Sequence, residues 1–107
     1  MSNKVQSLSV ILRGICKQLG LQKEMALYQI QAHWEEIVGP QIALHTTPEQ
    51  IHFHTLSLRV DSAPWINQLL FFKKEIVEKI NRFLKLRDCQ ESFLKDVYLK
   101  RAPLQPV

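Results

Sequence analysis

Between Ile51 and Val60 the apolar pattern changes period, and that change limits the fold more than any other feature of the 107 residues. Ile51 and Phe53 alternate with His52 and His54; Leu56, Leu58 and Val60 alternate with Ser57, Arg59 and Asp61. A period of two predicts two short strands, each with one apolar and one polar face, joined by a tight connection. On either side the period is three to four residues, which predicts helices. A weaker alternation from Leu94 to Lys100, with Val97 and Leu99 inward, predicts a third strand. The order α-α-β-β-α-β indicates an α+β domain, a small three-stranded sheet packed against helices.

The helical segments have readable ends. Val5, Leu8, Ile11, Leu12, Ile15 and Leu19 share one face of a helix from about Asn3, and Gly20 suits its left-handed end. Gly14 inside it is unfavourable by about 1 kcal/mol relative to Ala and suggests a close contact. From Lys23 to Val38 the stripe is Leu27, Ile30, Trp34, Ile37 and Val38, stopped by Gly39-Pro40. Gln41 to His45 can form one more turn, and Thr46-Thr47-Pro48 reads as a break. At Asp61-Ser62-Ala63-Pro64-Trp65, Ser62 suits an N-cap and Pro64 a first helical turn. The helix to Leu86 then buries Trp65, Leu69, Phe72, Ile76, Ile80 and Phe83. Glu75–Lys79 and Glu78–Arg82 are spaced for ion pairs. Residues 1–101 read as a single domain and 102–107 as a flexible Pro-containing tail.

Charge is uneven along the chain. The formal net charge is +4. Four Lys/Arg balance four Asp/Glu through residue 53; beyond it ten stand against six. A basic surface attracts polyanions by neutralising phosphates. The chain has no apolar run near the ~20 residues of a membrane helix and no export signal core, so a cytoplasmic protein without a membrane partner is expected.

Catalytic patterns find little support. The glycines, Gly14, Gly20 and Gly39, cannot build a phosphate loop. Glu35 and Glu36 are adjacent and diverge on a helix. Ser57 and Ser62 lack a glycine-flanked elbow. Cys16 and Cys89 are isolated and read as reduced thiols. His52 and His54 share a strand face and His45 could approach them, but no acid or thiol ligand lies close in sequence. A wet sheet face is the simpler reading, and His33 reads as a surface residue. No metal, cofactor or enzyme activity is expected.

Three segments together resemble a bacterial family. They are Trp34-Glu35-Glu36-Ile37-Val38-Gly39 with Ile42-Ala43, His45-Thr46 and Pro48; Leu58-Arg59-Val60-Asp61-Ser62 with Trp65 and Leu69; and Ile76 with Ile80-Asn81. They are similar to the DciA-type domain, over roughly residues 5 to 100. The resemblance implies a K-homology-like fold and a role in loading the bacterial replicative helicase. This chain lacks the Gly-x-x-Gly clamp of K-homology domains and has too few cysteines for the zinc ribbon described in some relatives.

Trp34, Ile37, Val38, Gly39, Ser62 and Trp65 are expected to be structural. Arg59, Lys73, Lys74, Lys79, Arg82, Lys85, Lys95, Lys100 and Arg101 are the expected nucleic-acid contacts, with His52 and His54 beside Arg59. Lys73 and Lys74 read as poorly paired, and Lys100 as facing only Asp96 locally. The leading expectation is a non-enzymatic adaptor that binds single-stranded or tailed DNA weakly and contacts the replicative helicase. An RNA-binding K-homology-like module and a scaffold without nucleic-acid binding are the alternatives.

Overall fold

In the computed structural model the described residues are 2–87 and 93–102, with side chains from residue 10 onward. The loop expected over 88–92, with Cys89, and the tail beyond Ala102 lie outside them. Helix α1 spans Ser2–Gln18 and closes as the glycine signal predicts. Gly20 takes φ 71°. Its N–H donates to Lys17 O at 3.2 Å and that of Leu21 to Cys16 O at 2.7 Å, the double bond of a Schellman end.

The expected second helix splits in two, and the further turn expected over Gln41 to His45 forms the helix after them. Helix α2 is Gln22–Ala32, α3 is Trp34–Val38 and α4 is Pro40–His45. His33 leaves helical geometry at φ −120°, ψ 24°, without any Gly or Pro to announce it. Gly39 then adopts φ 92°, ψ 158°, a region open almost only to glycine.

Strand β1 is Thr46–His52 and β2 is Thr55–Val60, paired antiparallel. The residues read as a break, Thr46-Thr47-Pro48, are its first three. Pro48 is tolerated because β1 is an edge strand, and its carbonyl accepts from Gln31 Nε2 at 3.0 Å. A bulge between Pro48 and Gln50 adds one residue, so both Pro48 and Ile51 face inward at a spacing of three. Phe53 belongs to neither face. It forms the two-residue turn with His54, both with positive φ, at 50° and 61°.

The expected long helix is interrupted. Helix α5 spans Ala63–Leu70 and α6 Lys73–Leu86. Between them Phe71 and Phe72 donate to Gln68 O and Leu69 O, three residues back, which tightens the chain out of α geometry. The buried stripe becomes Leu69, then Ile76, Ile80 and Leu84, while Phe72 lies largely outside it. Ser62 stands at the N-cap but its side chain makes no capping bond.

Strand β3, Asp96–Arg101, returns parallel to β2 and gives the order β1-β2-β3. One sheet face, carrying Ile51, Leu56, Leu58, Val60 and Val97, joins Ala26, Ile30, Trp34, Val38, Leu69, Ile76, Ile80, Leu84 and Leu94 in one core. The opposite face is open. The α+β class and the three-stranded sheet thus stand as expected. No described helix is long and apolar enough to cross a membrane.

Candidate functional site

The signature around Trp34 first serves the core. Trp34 is buried, and its indole Nε1 donates to Thr46 Oγ1 at 2.9 Å. That hydroxyl donates onward to Ile42 O at 2.7 Å, so the buried polar atoms of both residues are satisfied. Trp65 is only half-buried and stacks on His45, ring centroids 4.4 Å apart. His45 Nδ1 lies 2.9 Å from Asp61 Oδ2, and the Asp61 N–H donates to His45 O. These contacts clasp the open end of the β1–β2 hairpin.

The same signature also builds a cleft. Glu36, Ile37, Val38 and Gly39 form one wall and Lys79, Arg82, Phe83 and Leu86 of α6 the other, around an open volume of about 460 Å³. The lining is mixed: Ile37, Val38, Phe83 and Leu86 are apolar, Glu36 belongs to the α3 wall, and Lys79 and Arg82 belong to the α6 wall. At the neighbouring edge His33 bridges the layers, with Nδ1 3.1 Å from Gln29 O and Nε2 3.2 Å from the Arg87 guanidinium. Arg87 in turn lies over the Phe83 ring.

The nine expected contact residues divide into groups. Lys74, Lys79, Arg82 and Lys85 are exposed on α6, on the side away from the sheet. Among the described residues none of the four forms an ion pair, and neither Glu75–Lys79 nor Glu78–Arg82 closes. Exposed pairs gain too little to hold long side chains together. Lys73 is different: its Nζ lies 3.4 Å from Asp96 Oδ1, so it is paired where the sequence suggested it was not.

Arg59 and Lys100 are in-register neighbours on the open sheet face. Both reach Glu49, the extra residue at the β1 bulge; Arg59 donates to its Oε2, and Lys100 to its Oε1 at 3.0 Å. Lys100, then Arg59, hold the Glu49 carboxyl below the ordinary carboxylate range. This partner, 51 residues from Lys100, replaces the expected local Asp96. Arg101 and Lys95 are exposed at opposite ends of β3, and the Lys95 N–H donates to His54 O at 2.7 Å.

The histidines do not converge. His52 lies at the turn end of the hairpin and His45 at its open end, on the order of 20 Å away by strand rise. His54 Nδ1 is 3.0 Å from Phe93 O. Among the described residues no three His, Cys, Asp or Glu form a group suited to a metal. Sequence reasoning passed over Tyr98, exposed between Ser57 and the Arg59–Lys100 pair on the open face. Its phase, opposite to Val97, was the available signal.

The architecture is that of a small α+β domain, with a mixed sheet open on one face and a cleft between α3 and α6 on the helical side. The model of the family described as Dna[CI] antecedent, DciA, matches residues 7–90, and the chain belongs to that family. A UPF0232 protein of Mycobacterium ulcerans (strain Agy99) is 31% identical over 75 residues, 70% of this chain and 40% of that protein. One from Corynebacterium glutamicum (strain R) is 32% identical over 75 residues, covering 70% and 42%. One from Bifidobacterium longum (strain NCC 2705) is 33% identical over 61 residues, covering 57% and 39%. The chain thus spans about two-fifths of the length of the relatives it matches.

Proposed function

We propose that the chain is a non-enzymatic DciA-type adaptor that binds DNA weakly through α6 and contacts the replicative helicase. The observation that carries the reading is the α3–α6 cleft. There the family signature, Ile37 to Gly39, faces Lys79 and Arg82, two cations without an ion-pair partner among the described residues. Lys74 and Lys85 extend the positive helix surface. Such cations take phosphates of any sequence, and the apolar side chains between them, Ile37, Val38, Phe83 and Leu86, suit a base or a partner's apolar side chain. Arg59 and Lys100 already share a carboxylate, so the sheet face offers less uncompensated charge.

Single-stranded and tailed DNA are to be titrated by fluorescence anisotropy at several salt concentrations. Binding is expected to be weak and to fall steeply with salt. Lys79→Glu with Arg82→Glu should weaken it and lower the salt slope by about 1.4 for single strands. Lys100→Glu with Arg101→Glu should have a smaller effect. Equal affinity in the α6 variant moves the footprint to the sheet face. Absence of binding at low salt overturns the nucleic-acid reading, and failure to capture purified replicative helicase overturns the other half.

A further inference from the structure

Strand β3 ends the sheet with one side unpaired. The Ala102 N–H donates to Val60 O at 3.0 Å and that of Asp96 reaches His54 O at 3.4 Å, so the even-numbered residues of β3 bond toward β2. Alternate residues of a strand turn their backbone groups the other way, and Val97, Leu99 and Arg101 therefore present N–H and C=O at the outer edge. Among the described residues no strand lies there. The Val97 N–H instead takes the carboxylate of its own neighbour, Asp96 Oδ1, at 2.7 Å. An edge of this kind is ready to pair with another strand.

The residues of β3 are complementary to β3 itself. Asp96, Tyr98 and Lys100 share the open face, while Val97 and Leu99 face the core. Laid antiparallel on a second copy about Tyr98, the strand sets Asp96 opposite Lys100 on the open face, at both ends of the pairing. Val97 meets Leu99 on the inner face as a pair that exchanges both backbone bonds, as their outward groups require. Tyr98, 59% exposed, meets its own copy at the position without backbone bonds, where side chains come closest. Capacity remains for the two ion pairs. Lys73 and the Val97 N–H both use Oδ1 of Asp96, and Oδ2 has no partner among the described residues; Lys100 gives Glu49 one of its donors. Centring the pairing on Leu99 instead leaves Asp96 opposite Ala102, and centring it on Val97 leaves Lys100 opposite Leu94, so neither matches the charges. The one like-charged pair, Lys95 with Arg101, falls where the ladder ends, since Lys95 lies outside β3. We infer that β3 is a self-association edge, which pairs antiparallel with β3 of a second copy of this chain and joins the two sheets into one of six strands. The pairing goes beyond the DNA and helicase contacts proposed above and rests on neither.

Sedimentation equilibrium of the intact chain, from micromolar to near-millimolar, tests the pairing. The mass should rise toward twice that of the monomer. Asp96→Lys alone sets lysines opposite one another at both ends of the pairing, and Lys100→Asp alone does the same with aspartates. Each should associate about tenfold or more weakly than the parent. An equimolar mixture of the two restores an opposite-charge pair at each end and should recover the dimer. Unchanged emission of Trp34 and Trp65 would show that each variant is folded. In the parent, which needs no substitution, exchange of the Leu99 amide hydrogen should slow as concentration rises. A monomer at all concentrations overturns the inference, whether or not β3 then takes up an extended peptide of another protein. So does a dimer that both single changes leave intact, or a mixture that associates no better than its components.

Discussion

The side-chain amide of Asn81 pairs with both backbone groups of Leu94: Nδ2 donates to its carbonyl at 2.9 Å, and Oδ1 accepts from its N–H at 2.8 Å. Leu94 is buried, so α6 satisfies a segment that enters the core just before β3 without strand pairing of its own. Asn81→Ala should leave both groups unpaired and destabilise the fold by about 1–3 kcal/mol in urea unfolding. Asn81→Asp keeps only the acceptor and should recover little. A loss below about 0.5 kcal/mol would mean that water replaces the amide.

Two glycine substitutions should move in opposite directions. Gly39→Ala has room for its methyl group but not for its backbone, because φ is 92°. It should cost about 1–3 kcal/mol of global stability. Gly14→Ala sits in ordinary helical geometry with open space around it, so the close contact suggested by its sequence position is absent among the described residues. Circular dichroism should show more helix in that variant, as propensity favours Ala by about 1 kcal/mol.

The hairpin turn carries removable strain. Phe53 is 82% exposed and holds φ 50°, a conformation that Asn adopts more readily. Phe53→Asn should raise stability by about 0.5–1 kcal/mol. Thermal melting checks it; a lower midpoint would show that the Phe53 ring, edge-on to His52, contributes more than its backbone costs.

Glu49 links stability to pH. Its carboxyl titrates lower in the folded chain than in the unfolded one, held by Lys100 and Arg59. The unfolded state therefore takes up the proton first as pH falls. The contribution is complete above the ordinary carboxylate value near 4.5 and is lost as pH falls through the folded one. Glu49→Gln should cost less than about 1 kcal/mol at neutral pH, since the cluster is partly solvated. The gap between the two proteins should close in unfolding curves taken toward pH 3. A gap independent of pH would assign the effect to packing at the bulge.

The sites differ in how far the sequence exposed them. Lys79, Arg82 and Lys85 were legible as the polar side of a helix whose opposite side is Ile76 and Ile80, because helical phase is a local property. The partner of Lys100 was not, because Glu49 reaches it only across β2 and only because a bulge places one extra residue in β1. Nor was the cleft, which needs α3 and α6 side by side although they are separated by both hairpin strands.

The sequence by itself determined the local periods: two for Leu56 to Val60, between three and four for Ile76 to Leu84, with Gly20 and Gly39 as helix ends. These follow from each residue's own φ/ψ preferences and from where successive side chains point. Tertiary structure decided where the helices break, at His33 and at Phe71-Phe72, for neither place carries a Gly or Pro. It also brought β3 parallel to β2, and it kept Ile11, Leu12, Ile15 and Leu19 of α1 out of the core while taking in Ile76, Ile80 and Leu84 of α6. Those outcomes depend on which apolar faces fit one another at packing density, and a periodic pattern shows that a face is apolar without showing what will cover it.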